Sequence, residues 1–400
     1  MEYLISMSLL EHKEIDFMQR ILTGNIVLPE KVVYGNLVIE EDKIKSIEVL
    51  DSMRSGEDVI VPGFLDIHFH GTGPCGIVTL EDLKGIAAFE PRNGVTAFTP
   101  ALASCDRKLR VDYLHFIRQM VAERASGSAV CAGAHLEGPW LSLEYKGGMA
   151  EEMLTLPSDE EVEEVIRESA GTLRLVTMAP ELENGLNAIK KLTAAGCTVS
   201  IGHSAADAEA FTAAADAGLS HVCHLFDAYA PRPVIEGVTR YCLADACLMD
   251  DRVTIELICD GFHVPPELIK LAARLAGVDR IVAITDSMQG TGLPNASYIQ
   301  EDGYPYYLDN ESVCRSEVDN GIVGSCLPMK RAFTNLVNKW GFSLVDAAKM
   351  TSTNPAKVIG LKDVTGKLCE GFFADINILS AGTHELKECI VRGESCFKEA

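Results

Sequence analysis

Short apolar runs rich in β-branched residues recur through the middle of the chain, at Phe64–His68, Val95–Pro100, Val130–Glu137, Leu173–Ala179, Thr198–His203, Ser220–Leu225, Val253–Cys259 and Arg280–Asp286. Runs of this length predict buried strands. Between them the apolar positions move to a spacing of three and four. That pattern predicts helices over Thr79–Arg92, Asp106–Ala125, Glu160–Ser169, Leu186–Ala195, Asp207–Ala217 and Pro266–Ala276. Six of the seven returns into a strand follow a glycine: Gly94, Gly127, Gly171, Gly196, Gly218 and Gly277. Glycine just past a helix end takes the left-handed conformation that stops it. Eight alternations in roughly 250 residues predict an α/β chain folded as a (β/α)8 barrel of the TIM type. A doubly wound open sheet is the alternative with the same rhythm.

The two ends of the chain are patterned differently. Val32–Tyr34, Asn36–Glu40 and Ile44–Val49 alternate like strands and are broken by polar turn residues, and Ala374–Leu379 and Glu388–Arg392 repeat the style. Neither end has enough strands to close a core alone. The prediction is therefore a small β-sandwich domain formed by both chain ends, 1–61 with 366–400, beside a barrel domain over 62–365. The stretch from Gly290 to Gly324, with Gly, Asn and Asp clusters around Tyr304, Tyr306 and Tyr307, reads as a hairpin or lid insertion.

Composition narrows the partners. The 400 residues are 47% hydrophobic and carry 58 acidic against 35 basic side chains, and the isoelectric point is near 4.8. That balance argues against nucleic acid or an anionic membrane surface as partner, though not against an anionic small molecule. Thirteen cysteines, an odd number without CxxC pairs, sit largely inside apolar runs. This is the usage of a reducing compartment. The first twenty residues carry Glu2, Glu11, Glu14 and Asp16 and lack the pattern of a signal peptide. A cytoplasmic protein with no membrane association is expected.

A barrel places its site at the C-terminal ends of its strands. Five of the ten histidines fall at or just past such ends: His68, His70, His203, His224 and His263. Glu137 ends the third strand and Asp286 the eighth. Residues two apart on a strand share a face, so His68 and His70 can present two imidazoles to one ion. Imidazole with carboxylate suits zinc, iron or a similar borderline metal. Such an ion lowers the pKa of water and polarises a carbonyl, as amide hydrolysis requires. A carboxylate outside the ligand set, Asp286, can carry a proton from the water to the leaving amine. Each histidine also has a plainer reading as a hydrogen-bonded core group. His135 is a candidate for orienting a ligand, His221 competes with His224 for the sixth strand, and Asp260 is a candidate turn cap.

These motifs together resemble a known family. Val61-Pro62-Gly63-Phe64-Leu65-Asp66-Ile67-His68-Phe69-His70-Gly71 is similar to the opening signature of the amidohydrolase superfamily. His135-Leu136-Glu137-Gly138-Pro139-Trp140, Gly202-His203-Ser204, His224-Leu225-Phe226, Asp260-Gly261-Phe262-His263 and Thr285-Asp286 follow in the order of the N-acetylglucosamine-6-phosphate deacetylases. Gly324-Ser325-Cys326-Leu327-Pro328-Met329, Asn354-Pro355-Ala356 and Gly371-Phe372-Phe373-Ala374-Asp375 resemble the later motifs of that family. The resemblance implies that Glu137, His203 and His224 are the principal metal ligands and that His68 and His70 support a second ion. One or two divalent ions, zinc or iron, are expected. It further implies Asp286 as catalytic acid and base, His263 positioning the acetamido carbonyl, and Asp227, Ala228 and Arg232 near the sugar. The tip of the fourth strand, Val176-Thr177-Met178-Ala179-Pro180, carries no lysine for a carbamate bridge, so Glu137 is the expected bridge. The implied substrate is N-acetylglucosamine-6-phosphate and the expected assembly a homodimer.

Three departures from the family pattern concern recognition. Met149 stands where the family has a substrate-contacting histidine. Asp227-Ala228-Tyr229 replaces Asn-Ala-Met. Pro231-Arg232-Pro233-Val234-Ile235-Glu236-Gly237 replaces the His-Arg-Glu-Pro-Gly run, and Arg232 or Arg240 is the remaining candidate phosphate clamp. Hydrolysis of a different N-acyl amine or an unphosphorylated sugar, and a non-catalytic binding role, are the competing functions.

Overall fold

A computed structural model describes residues 19–300, 303–309 and 313–399. The acidic N-terminal residues that argue against a signal peptide lie outside the described residues. Eight parallel strands form the central unit: Phe64–Asp66, Val95–Phe98 continued by Ala101–Leu102, Val130–Cys131 continued by Ala134–Glu137, Leu173–Met178, Thr198–Ile201, His221–Val222, Thr254–Ile258 and Ile281–Ile284. The first and eighth strands meet at their ends. The Asp286 amide donates to the His68 carbonyl (2.9 Å) and the His70 amide to the Ser287 carbonyl (2.7 Å). The strands thus close on each other as a barrel, and residues distant in sequence reach one mouth.

The helices follow the predicted positions, with ends shifted by a few residues. Gly94 shows why glycine punctuates them: its φ is 77°, and a Cβ there would meet the Phe64 ring at 2.8 Å. One helix the periodicity missed, Leu243–Met249, joins the sixth strand to the seventh. Inside the barrel, Leu65, Ile67, Leu175, Val282 and Ile284 form a cluster closed by Ala356 and Val358 of the helix Asn354–Val358. Asn354 pins that helix by donating to the Ile281 carbonyl (2.6 Å).

The chain ends form one seven-stranded sheet, ordered Glu394–Lys398, Leu386–Val391, Ile376–Leu379, Val59–Pro62, Arg20–Val27, Val32–Glu40, Lys43–Ser52. Side chains from both halves, including Ile26, Leu37, Ile376 and Ile390, share one core. Val59–Pro62 lies between strands from opposite ends of the chain and leads through Gly63 into the first barrel strand. The sheet therefore anchors the segment that carries His68 and His70. The predicted insertion is a four-stranded antiparallel sheet, Ser297–Ile299, Pro305–Asp309, Val313–Ser316 and Ile322–Ser325. Among the described residues no helix is long and apolar enough to cross a membrane. All thirteen cysteines are free thiols.

Candidate metal centre and active site

Glu137 is the point on which the mouth of the barrel converges. One of its carboxylate oxygens, Oε1, lies 3.0 Å from His224 Nε2, 3.1 Å from His203 Nε2 and 3.3 Å from His68 Nε2. Oε2 lies 3.1 Å from His70 Nε2. Asp286 Oδ1 stands 3.3 Å from His70 Nε2 and 3.7 Å from His68 Nε2. Five residues proposed from sequence thus come from the ends of four further strands to surround one buried carboxylate. His203 and Asp286 both adopt positive φ, 49° and 50°. L-residues rarely hold that conformation without a structural reason, and it turns the chain back over the strand tips.

The ring orientations are set from behind. His68 donates from Nδ1 to Glu256 Oε2 (3.0 Å) and His203 from Nδ1 to the Tyr145 carbonyl (2.9 Å). Each bond fixes a tautomer that leaves Nε2 free to face Glu137. His68 Nε2 is buried without a properly directed hydrogen-bond partner. Imidazole lone pairs and carboxylate oxygens aimed at a common space are the donor set of a divalent ion such as zinc or iron. Two groups have donor atoms all within 4.8 Å of one another: His68, Glu137, Cys223 and His224, and His68, His70 and Asp286. The residues present fit a metal.

The electrostatics point the same way. Burial alone would raise the carboxylate of Glu137, but the His68 charge and hydrogen bonds from His203 and His224 hold it well below the usual range. Burial likewise opposes ionisation of Asp286, and the bond from His70 with the charges of His68 and His70 outweighs it, so its pKa falls. The imidazoles respond in reverse. Burial would lower His70, yet its bonds to Asp286 and Glu137 push it up to about 10. His68 and His224 are also raised well above the ordinary value, burial being outweighed by Cys223 first and then by Glu137.

Glu256, which the sequence reading passed over, is central to this network. It is fully buried in the seventh strand. Its Oε1 accepts from His221 Nε2 (2.9 Å), and its Oε2 accepts from His68 Nδ1 and from the His224 backbone amide (3.3 Å). The available signal was a lone acid in the apolar run Thr254-Ile255-Glu256-Leu257-Ile258. His221 turns to Glu256 and Thr254 and does not join the cluster, so His224 takes the sixth-strand position. His135 packs its ring against His68, donates from Nδ1 to the Ile67 carbonyl and accepts from Thr177. Burial drops its pKa to about 3, so it is neutral.

A cavity of about 190 Å³ opens over the cluster. His263, Asp227 and Ala228 line it, as do Met149 and, from the insertion, Val323 and Gly324. His263 Nδ1 is 2.6 Å from Asp260 Oδ2, and its Nε2 has no partner. Burial would lower His263, but the Asp260 carboxylate raises it. Arg232 is not in this wall. It lies half-exposed with its guanidinium forked onto Asp245, at 2.6 Å from Nη2 to Oδ1. Arg240 is exposed as well. Among the described residues lining the cavity there is no lysine or arginine.

The amidohydrolase family profile matches residues 59–396. The chain belongs to the amidohydrolase family. Within it, this amidohydrolase is 32% identical to the N-acetylglucosamine-6-phosphate deacetylase of Bacillus subtilis (strain 168) over 393 residues, 93% of this chain and 95% of that one. It is 30% identical to the N-acetylgalactosamine-6-phosphate deacetylase of Escherichia coli O157:H7 over 362 residues, 85% of this chain and 88% of the relative. Among solved structures, the N-acetylglucosamine-6-phosphate deacetylase of Thermotoga maritima superposes with a TM-score of 0.85 at 29% identity, covering 95% of this chain and 100% of that one. A mutant of the Mycobacterium smegmatis enzyme, in complex with N-acetyl-D-glucosamine-6-phosphate, superposes at 0.86 with 28% identity and the same coverage. The family is metal-dependent and acts on amide C–N bonds, the chemistry that the donor set fits.

Proposed function

We propose that this amidohydrolase removes the acetyl group from an N-acetylamino sugar phosphate, N-acetylglucosamine-6-phosphate in the first instance. The observation that carries the reading is the single buried carboxylate of Glu137 meeting four imidazoles, with Asp286 beside it. Glu137, His203 and His224 would hold a divalent ion and His68 and His70 would support a second, with zinc or iron the suited metals. Bound there, a divalent ion brings the pKa of water toward neutrality and polarises the acyl carbonyl. Asp286 is ionised and takes the proton as the water oxygen bonds to the acyl carbon. It then returns the proton to the amide nitrogen as the C–N bond breaks, leaving acetate and the free amine. His263, braced by Asp260, donates from Nε2 to the acetamido oxygen and positions it. Asp227 and Ala228 stand over the sugar.

A cavity wall without lysine or arginine, and with the carboxylate of Asp227 in it, favours a second reading. In that reading the same machinery serves an unphosphorylated N-acyl amino sugar. The test is acetate release from a panel of N-acetylated sugars, each with and without a 6-phosphate, by metal-replete protein. Turnover of N-acetylglucosamine-6-phosphate is expected. Release of acetate from no member of the panel would overturn the proposal.

A further inference from the structure

Two cysteines of the insertion face each other. Cys314 lies in the strand Val313–Ser316, and Cys326 follows directly on the strand Ile322–Ser325. Their Sγ atoms are 3.5 Å apart, both buried in the small core that Met288, Tyr306 and Leu308 complete. Cys131, Cys197 and Cys259, buried in the barrel, turn their thiols to backbone carbonyls instead. A disulfide sets its sulfurs about 2.0 Å apart, so this pair is about 1.5 Å from a covalent bond. The pair also adjoins the site. Ser325, bonded to Cys326, donates its amide to the Asp286 carbonyl (2.8 Å) and its hydroxyl to the Thr285 carbonyl. Its own carbonyl accepts from the Met288 amide (3.0 Å) and lies 3.3 Å from Cys314 Sγ. Met288 belongs both to the core around the sulfurs and to the cavity wall.

We infer that Cys314 and Cys326 form a reversible disulfide on exposure to a small hydroperoxide, and that closing it displaces Asp286 and slows hydrolysis. The second half rests on the role given to Asp286 above. Contact with Cys314 lowers the Cys326 thiol, while contact with Cys326 and burial raise Cys314, so Cys326 is the thiol that attacks. Its sulfur bonds to one peroxide oxygen, the O–O bond breaks, and the departing hydroxide takes the Cys326 proton as water, leaving a sulfenic acid. The Cys314 sulfur then bonds to that sulfur, the S–O bond breaks, and a second water carries off the Cys314 proton. Two electrons pass from the thiols to the peroxide, and an added dithiol reverses the change by exchange. The contraction acts on the residue bonded to Ser325, which holds the strand tip bearing Asp286.

The test treats metal-replete, full-length protein with hydrogen peroxide. Acetate release from N-acetylglucosamine-6-phosphate and metal content are measured, and a parallel sample is denatured, alkylated and cleaved with trypsin. Cleavage after Arg315 places the two cysteines on separate peptides. Wild type is expected to yield a peptide pair joined through Cys314 and Cys326, and to lose about a hundredfold in kcat at full metal content, as misplacement by about 1 Å causes. Dithiothreitol should reverse both. Cys314→Ser should keep its kcat under peroxide, and an equal loss in that variant overturns the coupling. Cys314 and Cys326 both recovered as alkylated thiols from treated wild type overturn the inference, whether or not the variant folds, and so does linked protein with unchanged kcat. Untreated wild type without turnover overturns the deacetylase reading and the coupling with it, while the peptides still decide the disulfide.

Discussion

Metal uptake by this protein is expected to be a proton-exchange reaction, steeply dependent on pH. Without metal, the buried cluster balances its own charge. The carboxylates of Glu137, Glu256 and Asp286 are each stabilised in the ionised form. The imidazoles of His68, His70 and His224 are each stabilised in the protonated form. Ionised carboxylates thus face protonated imidazoles. An imidazole must lose its proton before its nitrogen can bind a metal. With its pKa at about 10, His70 deprotonates at pH 7 at a cost of three pK units, about 4 kcal/mol. From His70 alone, affinity at neutral pH is therefore weaker by about a thousandfold than a neutral imidazole would give. Each displaced proton contributes one decade of affinity per pH unit, so full loading through the three imidazoles is expected to follow a slope of about three.

The sign is fixed by the direction of the shifts. A folded-state pKa raised above 6.5 stabilises the metal-free protein fully below about pH 6.5, and that stability is lost as pH rises toward about 10. Alkaline conditions therefore loosen the metal-free protein and favour the loaded one. Chelator competition between about pH 6 and pH 8 gives the slope, and calorimetry in buffers of different ionisation heat counts the protons released. About three protons per loaded subunit are expected. Affinity unchanged over that range, or release of less than about one proton, would refute the charge-balance argument.

Three further outcomes follow from the same geometry. Asp286→Asn should retain metal and substrate binding and lose about 10²–10⁴ in kcat; a near-normal kcat in metal-replete protein would remove Asp286 from the proton-transfer role. Glu256→Gln should leave the fold intact and weaken metal binding by about ten- to a hundredfold through misplacement of His68; unchanged affinity would reduce Glu256 to packing. The ratio of kcat/KM for the phosphorylated over the unphosphorylated sugar should stay below about a thousandfold, because no guanidinium lines the cavity. A larger ratio would mean that a cation from beyond this wall reaches the phosphate.

The barrel was legible because its signals are local. Six of the seven returns into a strand follow a glycine and each strand is an apolar run, so rhythm predicts the alternation of strands and helices. Leu243–Met249 escaped because seven residues make barely two turns, too few to display a period. Pairing between chain ends is invisible to such reasoning. Val59–Pro62 reads as the start of a signature motif, and nothing in its sequence shows that it separates Arg20–Val27 from Ile376–Leu379. The strand Glu394–Lys398 has exposed and half-buried positions throughout, so its pattern carries little contrast.

Within the site, legibility divides by how tightly the backbone is held. His68, His70, Glu137, His203, His224 and Asp286 all lie at the ends of hydrogen-bonded parallel strands. Their positions in space follow from their positions in the register, and the sequence sufficed to bring them together. Arg232 sits after the sixth strand on a surface segment beside the small hairpin Val234–Ile235 and Val238–Thr239, whose side chains are exposed. There, one residue of spacing does not determine where a guanidinium points, and Asp245 thirteen residues on has claimed it. Two basic side chains touch residues of the cavity wall from outside it. Lys146 donates to the carbonyl of Met149 (2.6 Å), and Arg315 of the insertion lies over the ring of Phe262, 5.8 Å from its centroid, with Asp309 as its ion-pair partner. Met149 and Phe262 both line the cavity. Positive charge therefore stands behind the wall rather than in it, on loops that the strand register does not constrain. The reacting end of a substrate is held by groups whose placement the barrel dictates, while its far end is left to segments that can change without disturbing the chemistry.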